Sequence, residues 1–194
     1  MKRRIEPSDI MPEADYVQVR AAKRRELSEL KKLRRIEVGP FAVFAFESWD
    51  TMWFQIQEML HIEKGGVAQI PDEIAAYNPL IPQGRELVAT VMFQIDDEQT
   101  RKLALARLGG VEQTAFLSIG SARIAGVPEA DMDRTTAEGK ASSVQFVHFP
   151  FTPEQIAAFR APGAQVIVGF THPNYAHMAV LPEPVRAALA QDFD

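Results

Sequence analysis

The chain has 194 residues, of which 46% are hydrophobic and 24% charged, and its formal net charge is -5. This composition fits one folded domain, and the acidic balance argues against a general nucleic-acid binder. Because the chain has no cysteine, disulfides, thiolate metal sites, cysteine-ligated iron–sulfur clusters and a cysteine nucleophile are excluded. The first residues lack the apolar run of a secretory signal, and no apolar stretch approaches membrane-spanning length. We therefore expect a cytoplasmic protein that has no membrane segment and binds no nucleic acid.

The first predicted element is an amphipathic helix from about Glu13 to Arg35, with an imperfect apolar stripe. Its polar face is crowded with charge, and six basic residues are candidates for docking a partner: Arg20, Lys23, Arg24, Lys31, Lys32 and Arg35. These side chains form either a solvated face supported by Glu–Lys pairs at helical spacing or a docking face for an acidic partner. No aromatic residues interleave the charges, which argues against a nucleic-acid partner.

A β-hairpin is predicted next, with Ile36–Val38 and Phe41–Phe46 as its strands and Gly39-Pro40 at its turn. Both faces of the second strand are apolar, so we expect the strand to be covered on both sides. An exposed share of these apolar faces would provide an interface for a homo-oligomer.

The stretch from Trp49 to Gly66 predicts a helix that contains both tryptophans of the chain. Ser48 or Asp50 caps its start, and Gly65-Gly66 ends it. A helix so rich in aromatic residues and methionine must bury most of its circumference, and we expect it to be the central packing element. A pocket beneath it is one candidate site for a small molecule.

The same helix carries Glu58 and His61 in a Glu-x-x-His pair. Carboxylate-bridged di-iron sites use two such pairs and two further glutamates on a four-helix bundle. Because this chain has a single pair and few long helices, a surface-exposed polar strip is the favoured interpretation.

A short helix from Pro71 to Tyr77 and a proline-rich connector at 78–84 complete an N-terminal helix–hairpin–helix layer, residues 1–84. Two strand–helix–strand–strand units follow, at 85–129 and 143–183, and a C-terminal helix occupies 184–194. Ala122–Glu129 aligns with Ala176–Glu183 without a gap, which indicates an internal repeat.

The fold class that follows is α+β, in one domain over 1–194. Each helical crossover places its flanking strands in the same sheet, and each turn adds an antiparallel strand. We therefore expect a mixed, largely antiparallel sheet with helices packed on it. The predicted helix starts include Asp96, in a capping box with Gln99, and Thr152, followed by Pro153 and Gln155.

The segment between the two units, residues 129–142, is polar and has no clear periodicity. Its hydroxyl and ammonium groups, at Thr135, Thr136, Lys140, Ser142 and Ser143, could surround an anion. Since no phosphate-loop glycine spacing is present, a mobile surface loop is the favoured interpretation.

Three of the four histidines lie late in the chain, at His148, His172 and His177. If the strands of the second unit are neighbours, the three imidazoles converge and would suit Zn²⁺ or non-haem iron, with Glu58 and His61 as further ligands. The alternative is that His148 is a satisfied residue at the core edge and His172 a turn residue before a proline.

Four long blocks of the sequence, residues 34–66, 76–97, 139–164 and 172–182, carry a family likeness. With them the chain resembles a bacterial family of about this length that has no established function. The resemblance implies genes adjacent to those of rubrerythrin-like proteins and an iron–sulfur oxidoreductase. It implies no catalytic residues.

Three functions are consistent with these features. The first is an accessory protein that docks redox partners in peroxide defence, which the resemblance and the basic helix favour. The second is a mononuclear metal protein or enzyme that uses the late histidines. The third is a small-molecule binding module with its pocket under the tryptophan helix. The sequence has no nucleophile elbow and no nucleotide-binding glycine pattern, so it supports neither hydrolase nor nucleotide chemistry.

Overall fold

The structure of the protein is a computed structural model that describes residues 2–129 and 140–194. Six α-helices and nine β-strands are found in these two ranges. The helices are α1 (Glu13–Lys32), α2 (Trp49–Glu63), α3 (Ile70–Tyr77), α4 (Glu98–Leu105), α5 (Pro153–Arg160) and α6 (Glu183–Leu189). The strands are β1 (Arg35–Val38), β2 (Ala42–Phe46), β3 (Glu86–Phe93), β4 (Ala115–Ile119), β5 (Ala122–Ala125), β6 (Val127–Pro128), β7 (Val144–Pro150), β8 (Val166–Phe170) and β9 (Met178–Val180).

The strands form two sheets, in the orders β1-β2-β3-β7-β6 and β5-β4-β8-β9. Every pairing between the described strands is antiparallel. The predicted α+β class is confirmed, and so is the strand–helix–strand–strand order of both units. The expectation that the strands flanking each helix share a sheet is wrong. Helices α4 and α5 each carry the chain from the first sheet to the second.

The two units meet along matching strands. β3 of the first unit pairs with β7 of the second, and β4 pairs with β8. β5 and β9 then lie on opposite edges of the second sheet. This arrangement relates the units spatially, while their origin by duplication stays a prediction.

The larger hydrophobic core lies between the two sheets. Phe44 of the first sheet packs against Phe170 of the second, with ring centroids 5.0 Å apart. The Tyr175 hydroxyl joins the sheets by accepting from the backbone N–H groups of Phe41 and Ala42, at 2.9 and 2.8 Å, and donating to the Val38 carbonyl at 2.8 Å. The sheets are therefore held together by both ring packing and a buried hydroxyl.

A second, smaller core lies on the other face of the first sheet, where α1, α2 and α3 pack. Leu87 and Val88 are adjacent on β3 but belong to different cores, as the alternation of side chains along a strand requires. The molecule thus has a helical layer, a first sheet and a second sheet. The tryptophan helix α2 is the centre of the smaller core, so the expectation that it is the central packing element of the whole chain is wrong.

β1 alternates exposed and buried residues, so one of its faces is open. β2 is covered on both sides, as predicted, because Val43 and Phe44, which point to opposite faces of the sheet, are both buried. A homo-oligomer stays a prediction, but these hairpin side chains are not exposed to form its interface.

Helix starts follow the sequence closely. Thr152 and Gln155 form the predicted capping box of α5, with Pro153 at its first position. The cap of α4 is Asp97, whose carboxylate accepts from the Thr100 N–H at 2.7 Å, and not Asp96. No helix in the described part of the chain is both long and apolar enough to cross a membrane.

Candidate functional site

Helix α2 begins at a reciprocal cap. The Thr51 N–H donates to the Ser48 hydroxyl at 3.4 Å, and the Ser48 N–H donates to the Thr51 hydroxyl at 2.8 Å. The prediction of Ser48 as a cap is confirmed. Because the cap fixes the start of the helix, it places Trp49 and Asp50 in the first turn, facing the N-terminal segment and α1.

The two tryptophans anchor the N-terminal segment to α2. Trp49 Nε1 donates to the Arg4 carbonyl and Trp53 Nε1 donates to the Asp9 carbonyl, both at 2.9 Å. Their rings are nearly parallel, with centroids 6.1 Å apart and planes inclined by 14°. Since the indole N–H groups are bonded to backbone, both rings are held in fixed orientations.

A groove of about 490 Å³ opens between α1, the start of α2 and the N-terminal segment. This volume lies in the range of small-molecule sites, roughly 300–1,000 Å³. Its lining is mainly apolar and aromatic with a charged rim, as such sites usually are. The lining residues are Asp9, Met11, Lys23, Glu26, Leu27, Leu30, Trp49, Asp50, Trp53 and Phe54.

The rim of the groove is acidic. Its charged side chains are three carboxylates and one ammonium group. Lys23 Nζ pairs with Glu26 at 2.8 Å, which leaves Asp9 and Asp50 as the excess negative charge of the lining. Asp9 accepts from Lys2 Nζ at 2.6 Å, and this hydrogen bond, together with the Glu6 N–H, lowers the pKa of Asp9. With Lys2 paired to Asp9, Asp50 is the remaining negative charge of the lining, and these two carboxylates favour a cation at the rim.

A buried carboxylate joins the two helices that form the groove. Glu58 accepts from the Tyr16 hydroxyl at 2.6 Å and from Nε and Nη2 of Arg20 at 2.7 and 2.8 Å. The Arg20 guanidinium, with a smaller contribution from the Tyr16 hydroxyl, lowers the pKa of Glu58 to about 2. Tyr16 packs edge-on against Trp53 and Phe54. The cluster thus holds α1 at a fixed position against the groove-lining face of α2.

The contacts of Glu58 argue against a metal site at the predicted Glu58–His61 pair. Glu58 is 8% exposed, so the expected surface strip is wrong at this position. Its oxygens are bonded to a guanidinium, which opposes a metal cation there. His61 Nδ1 lies 2.8 Å from Glu13 Oε1, and the His61 ring packs edge-on against Tyr16, with centroids 6.1 Å apart.

The late histidines have separate environments. His148 Nδ1 lies 3.0 Å from Glu86 Oε2, on the first sheet. His172 follows β8 of the second sheet, where its Nδ1 accepts from the Asn174 N–H and its Nε2 donates to the Gly109 carbonyl, both at 3.2 Å. Both ring nitrogens of His172 are therefore engaged.

His177 packs edge-on against Tyr175, with ring centroids 4.6 Å apart, and covers Gly39. Within residues 2–129 and 140–194, no three histidine, aspartate or glutamate side chains are placed to hold a metal ion. The expected convergence of the imidazoles does not occur in this structure, because β7 and β8 belong to different sheets. Binding of Zn²⁺ or non-haem iron stays a prediction that elemental analysis of the purified protein would check.

The predicted docking residues divide into two groups. Arg20 and Lys23 are partly buried on the inner side of α1, where they bond to Glu58 and Glu26. The remaining four are exposed: Arg24, Lys31, Lys32 and Arg35. Arg24 also forms an ion pair with Glu58, at 3.7 Å.

The exposed group is spread over two elements. Lys32 forms an ion pair with Glu29 at 2.6 Å, and Arg35 lies on β1 rather than on α1. Arg24 and Lys31 are seven residues apart, so they lie on one side of α1 two turns from each other. We call Arg24 and Lys31 the basic flank of α1.

Sequence reasoning missed most of the groove lining, including the α1 wall of Glu26, Leu27 and Leu30. Asp9 and Met11 belong to an N-terminal segment without periodicity, and Asp50 was considered only as a helix cap. The available signal was the pair Trp49 and Trp53, one turn apart at the start of a helix. Indoles with an apolar ring and a polar N–H often lie at such partly open sites.

Two of the five residues of the predicted anion site, Thr135 and Thr136, lie outside the described residues. Ser142 and Ser143 are described, and the Ser142 hydroxyl accepts from the Val144 N–H at 3.2 Å at the start of β7.

A protein family described as "Protein of unknown function (DUF3501)" matches residues 4–193. The chain belongs to this family. The match confirms the resemblance to a family without an established function, and it covers the groove and both sheets.

A solved structure from Burkholderia pseudomallei K96243, described as a novel protein of unknown function, is similar to this chain. The two sequences are 33% identical, the alignment covers 98% of this chain and 99% of that chain, and the TM-score is 0.90. No curated protein matches the chain significantly.

Proposed function

We propose that this chain is a binding protein whose small-molecule ligand enters the groove between α1 and α2. The observation that carries the proposal is the lining of a cavity of about 490 Å³ by both tryptophans of the chain. Aromatic walls with a few polar groups at the rim are typical of ligand sites.

The arrangement of the walls supports the same function. The Ser48 cap, the two indole hydrogen bonds and the Glu58 cluster fix the walls of the groove through contacts within the chain. A site that is already ordered loses less conformational entropy on binding, so more of the contact energy contributes to affinity.

The two indole N–H signals in a ¹⁵N-correlated NMR spectrum would test the proposal. Since both tryptophans line the groove, these signals report its occupancy. We suggest titration with three benzyl compounds that differ in charge: benzyl alcohol, phenylacetate and benzyltrimethylammonium. At least one of them should shift both indole signals saturably.

A groove-filling variant supplies the control. Leu30→Phe adds bulk to the lining and should weaken that titration at least about ten-fold, because overfilled sites exclude ligand atoms. Leu103→Phe makes the same change on exposed α4, far from the groove lining, and should leave the titration unchanged. The proposal fails if none of the three compounds shifts the indole signals, or if both variants bind them as the unaltered chain does.

A second candidate function, docking of an acidic redox partner, is supported by the basic flank of α1 and by the family resemblance. The Arg24 side chain is 67% exposed, and Lys31 is exposed two turns along the helix. In this proposal the chain is a cytoplasmic accessory protein in peroxide defence. Its partners are a rubrerythrin-like protein and an iron–sulfur oxidoreductase from the same organism.

Removal of positive charge distinguishes this candidate from groove binding. Arg24→Gln with Lys31→Gln, which places no carboxylate beside Glu58, should reduce the capture of the purified partner proteins, and increasingly so at low ionic strength. Lys102→Gln with Arg107→Gln makes the same change of charge on exposed residues around α4 and should have little effect. Capture of neither partner by the unaltered chain would contradict the docking role and leave the groove proposal untouched.

A further inference from the structure

A cation of the chain itself, the ammonium group of Lys2, lies against two of the residues that line the groove. Lys2 Nζ lies 5.0 Å from the centroid of the Trp49 ring and 2.6 Å from Asp9 Oδ1. An ammonium group within about 6 Å of an indole face is attracted by the ring quadrupole. Trp49 and Asp9, which both line the groove, therefore bind an ammonium group in the folded chain.

The remaining rim extends that position. Asp50 is exposed in the first turn of α2 and adds a second carboxylate to the lining. The Lys23 ammonium is directed to Glu26 at 2.8 Å, so it does not neutralise Asp9 or Asp50. The stacked Trp49 and Trp53 rings form an aromatic wall beside these carboxylates.

The deeper lining has a different character. Met11, Leu27, Leu30 and Phe54 are apolar and partly or fully buried. A ligand that fits the whole groove therefore has a cationic end for the carboxylates and an apolar body for these side chains.

We propose that the groove is a binding site for a small organic cation, an alkylated ammonium group attached to an apolar body, and that Lys2 occupies its cation position in the free protein. This inference rests on the proposed groove-binding function and names the ligand class. A cavity of about 490 Å³ holds a small molecule of this kind, which is why we assign a small molecule rather than a basic protein segment.

The position of Lys2 makes it displaceable. Its side chain is 62% exposed, and exposed ion pairs contribute little to stability. A ligand ammonium can therefore replace that of Lys2 on Trp49 and Asp9 without a large loss in the protein. Lys2 then acts as an internal competitor, and its removal strengthens ligand binding.

The test uses the full chain, the indole N–H signals and the same three benzyl compounds at constant ionic strength. Benzyltrimethylammonium should bind about five- to ten-fold more tightly than benzyl alcohol, and phenylacetate should bind most weakly. Lys2→Met should raise the affinity for benzyltrimethylammonium a few-fold. Lys102→Met, which removes an exposed ammonium from α4, should not change it.

A second pair of variants tests the carboxylates. Asp50→Asn and Asp72→Asn each remove a carboxylate from the first turn of a helix, but only Asp50 lines the groove. Asp50→Asn should weaken binding of benzyltrimethylammonium a few-fold, and Asp72→Asn should leave the affinity unchanged.

Several results would overturn the inference. If benzyl alcohol or phenylacetate binds as tightly as the cation, the groove is a ligand site of a different class and the proposed function survives. If Lys2→Met weakens binding of the cation, Lys2 is part of the site and not its competitor. Tighter binding of tetralysine than of benzyltrimethylammonium would assign the groove to a basic protein segment. No shift with any compound would refute both proposals.

Discussion

Replacement of Glu58 by glutamine tests the cluster that joins α1 to α2. The pKa of this carboxyl falls from its ordinary value of 4.5 to about 2. At about 1.4 kcal/mol per pKa unit, the folded state gains about 3 kcal/mol from the charged form as an upper bound. Because the Arg20 side chain is 31% exposed, solvent screens the pair, and we expect Glu58→Gln to lower the free energy of unfolding by about 1–2 kcal/mol at pH 7.

The pH dependence follows from the direction of this shift. A carboxyl whose folded-state pKa is lowered stabilises the protein above the unfolded-state pKa, and this stabilisation is lost as the pH falls through the folded-state pKa. The contribution of Glu58 is therefore complete above about pH 5 and disappears near pH 2. The difference between the unaltered chain and Glu58→Gln should narrow by about 1 kcal/mol between pH 7 and pH 3.5.

Urea unfolding at several pH values measures both effects, as a shift of the midpoint with an unchanged slope. Glu29→Gln is the matched control, because it removes a carboxylate from an exposed ion pair with Lys32. It should change the free energy of unfolding by less than about 0.5 kcal/mol. A Glu58→Gln variant that matches the control at pH 7, or a difference that is independent of pH, would refute the reasoning.

Three further predictions concern contacts between distant parts of the chain, and urea unfolding measures the free energy of unfolding for each variant. Tyr175→Phe leaves two backbone N–H groups and one carbonyl without their partner and should destabilise the protein by about 1–3 kcal/mol; a loss below about 0.5 kcal/mol would contradict this. Gly39→Ala should lower the free energy of unfolding by at least about 1 kcal/mol, because Gly39 has φ +66° and an added Cβ would lie 2.5 Å from the His177 ring. Adding His177→Ala to this variant removes the clash but not the backbone strain, so it should recover only part of the loss. Arg34→Met leaves the Asp192 carboxylate buried without its cation and should destabilise by about 3–5 kcal/mol; a neutral result would show that the pair contributes nothing.

Much of the fold could be predicted because local signals and tertiary packing agree. The apolar residues Leu87, Ala89, Val91 and Phe93 alternate along the sequence as in a strand with one buried face, and all four lie in the core between the sheets. The Thr152 capping box likewise depends on neighbouring residues alone. Such features can be predicted without knowing which distant residues they will contact.

The sheet assignment failed for the opposite reason. A strand–helix–strand pattern is the same whether the helix returns the chain to its own sheet or crosses to a second one. β3 and β4 are separated by α4, and only the pairing of β4 with β8, far along the chain, decides the sheet. That error also produced the expected convergence of His148 and His172, since it placed their strands side by side.

The candidate site was predictable in part. The pattern of α2 indicated a pocket beneath the tryptophan helix, and Trp49 and Trp53 do line the groove. The opposite wall depends on how α1 docks, which the Glu58–Arg20 pair fixes, and on the N-terminal segment, which the two indole hydrogen bonds hold. A glutamate and an arginine on separate helices carry no sign in sequence that they meet.

Diffraction from crystals soaked with the tightest binder among benzyl alcohol, phenylacetate and benzyltrimethylammonium tests the central claim most directly. The account predicts electron density for the compound against the Trp49 and Trp53 rings, between α1 and α2. Density at another surface, or a groove that stays empty at saturating concentrations in solution, would contradict it.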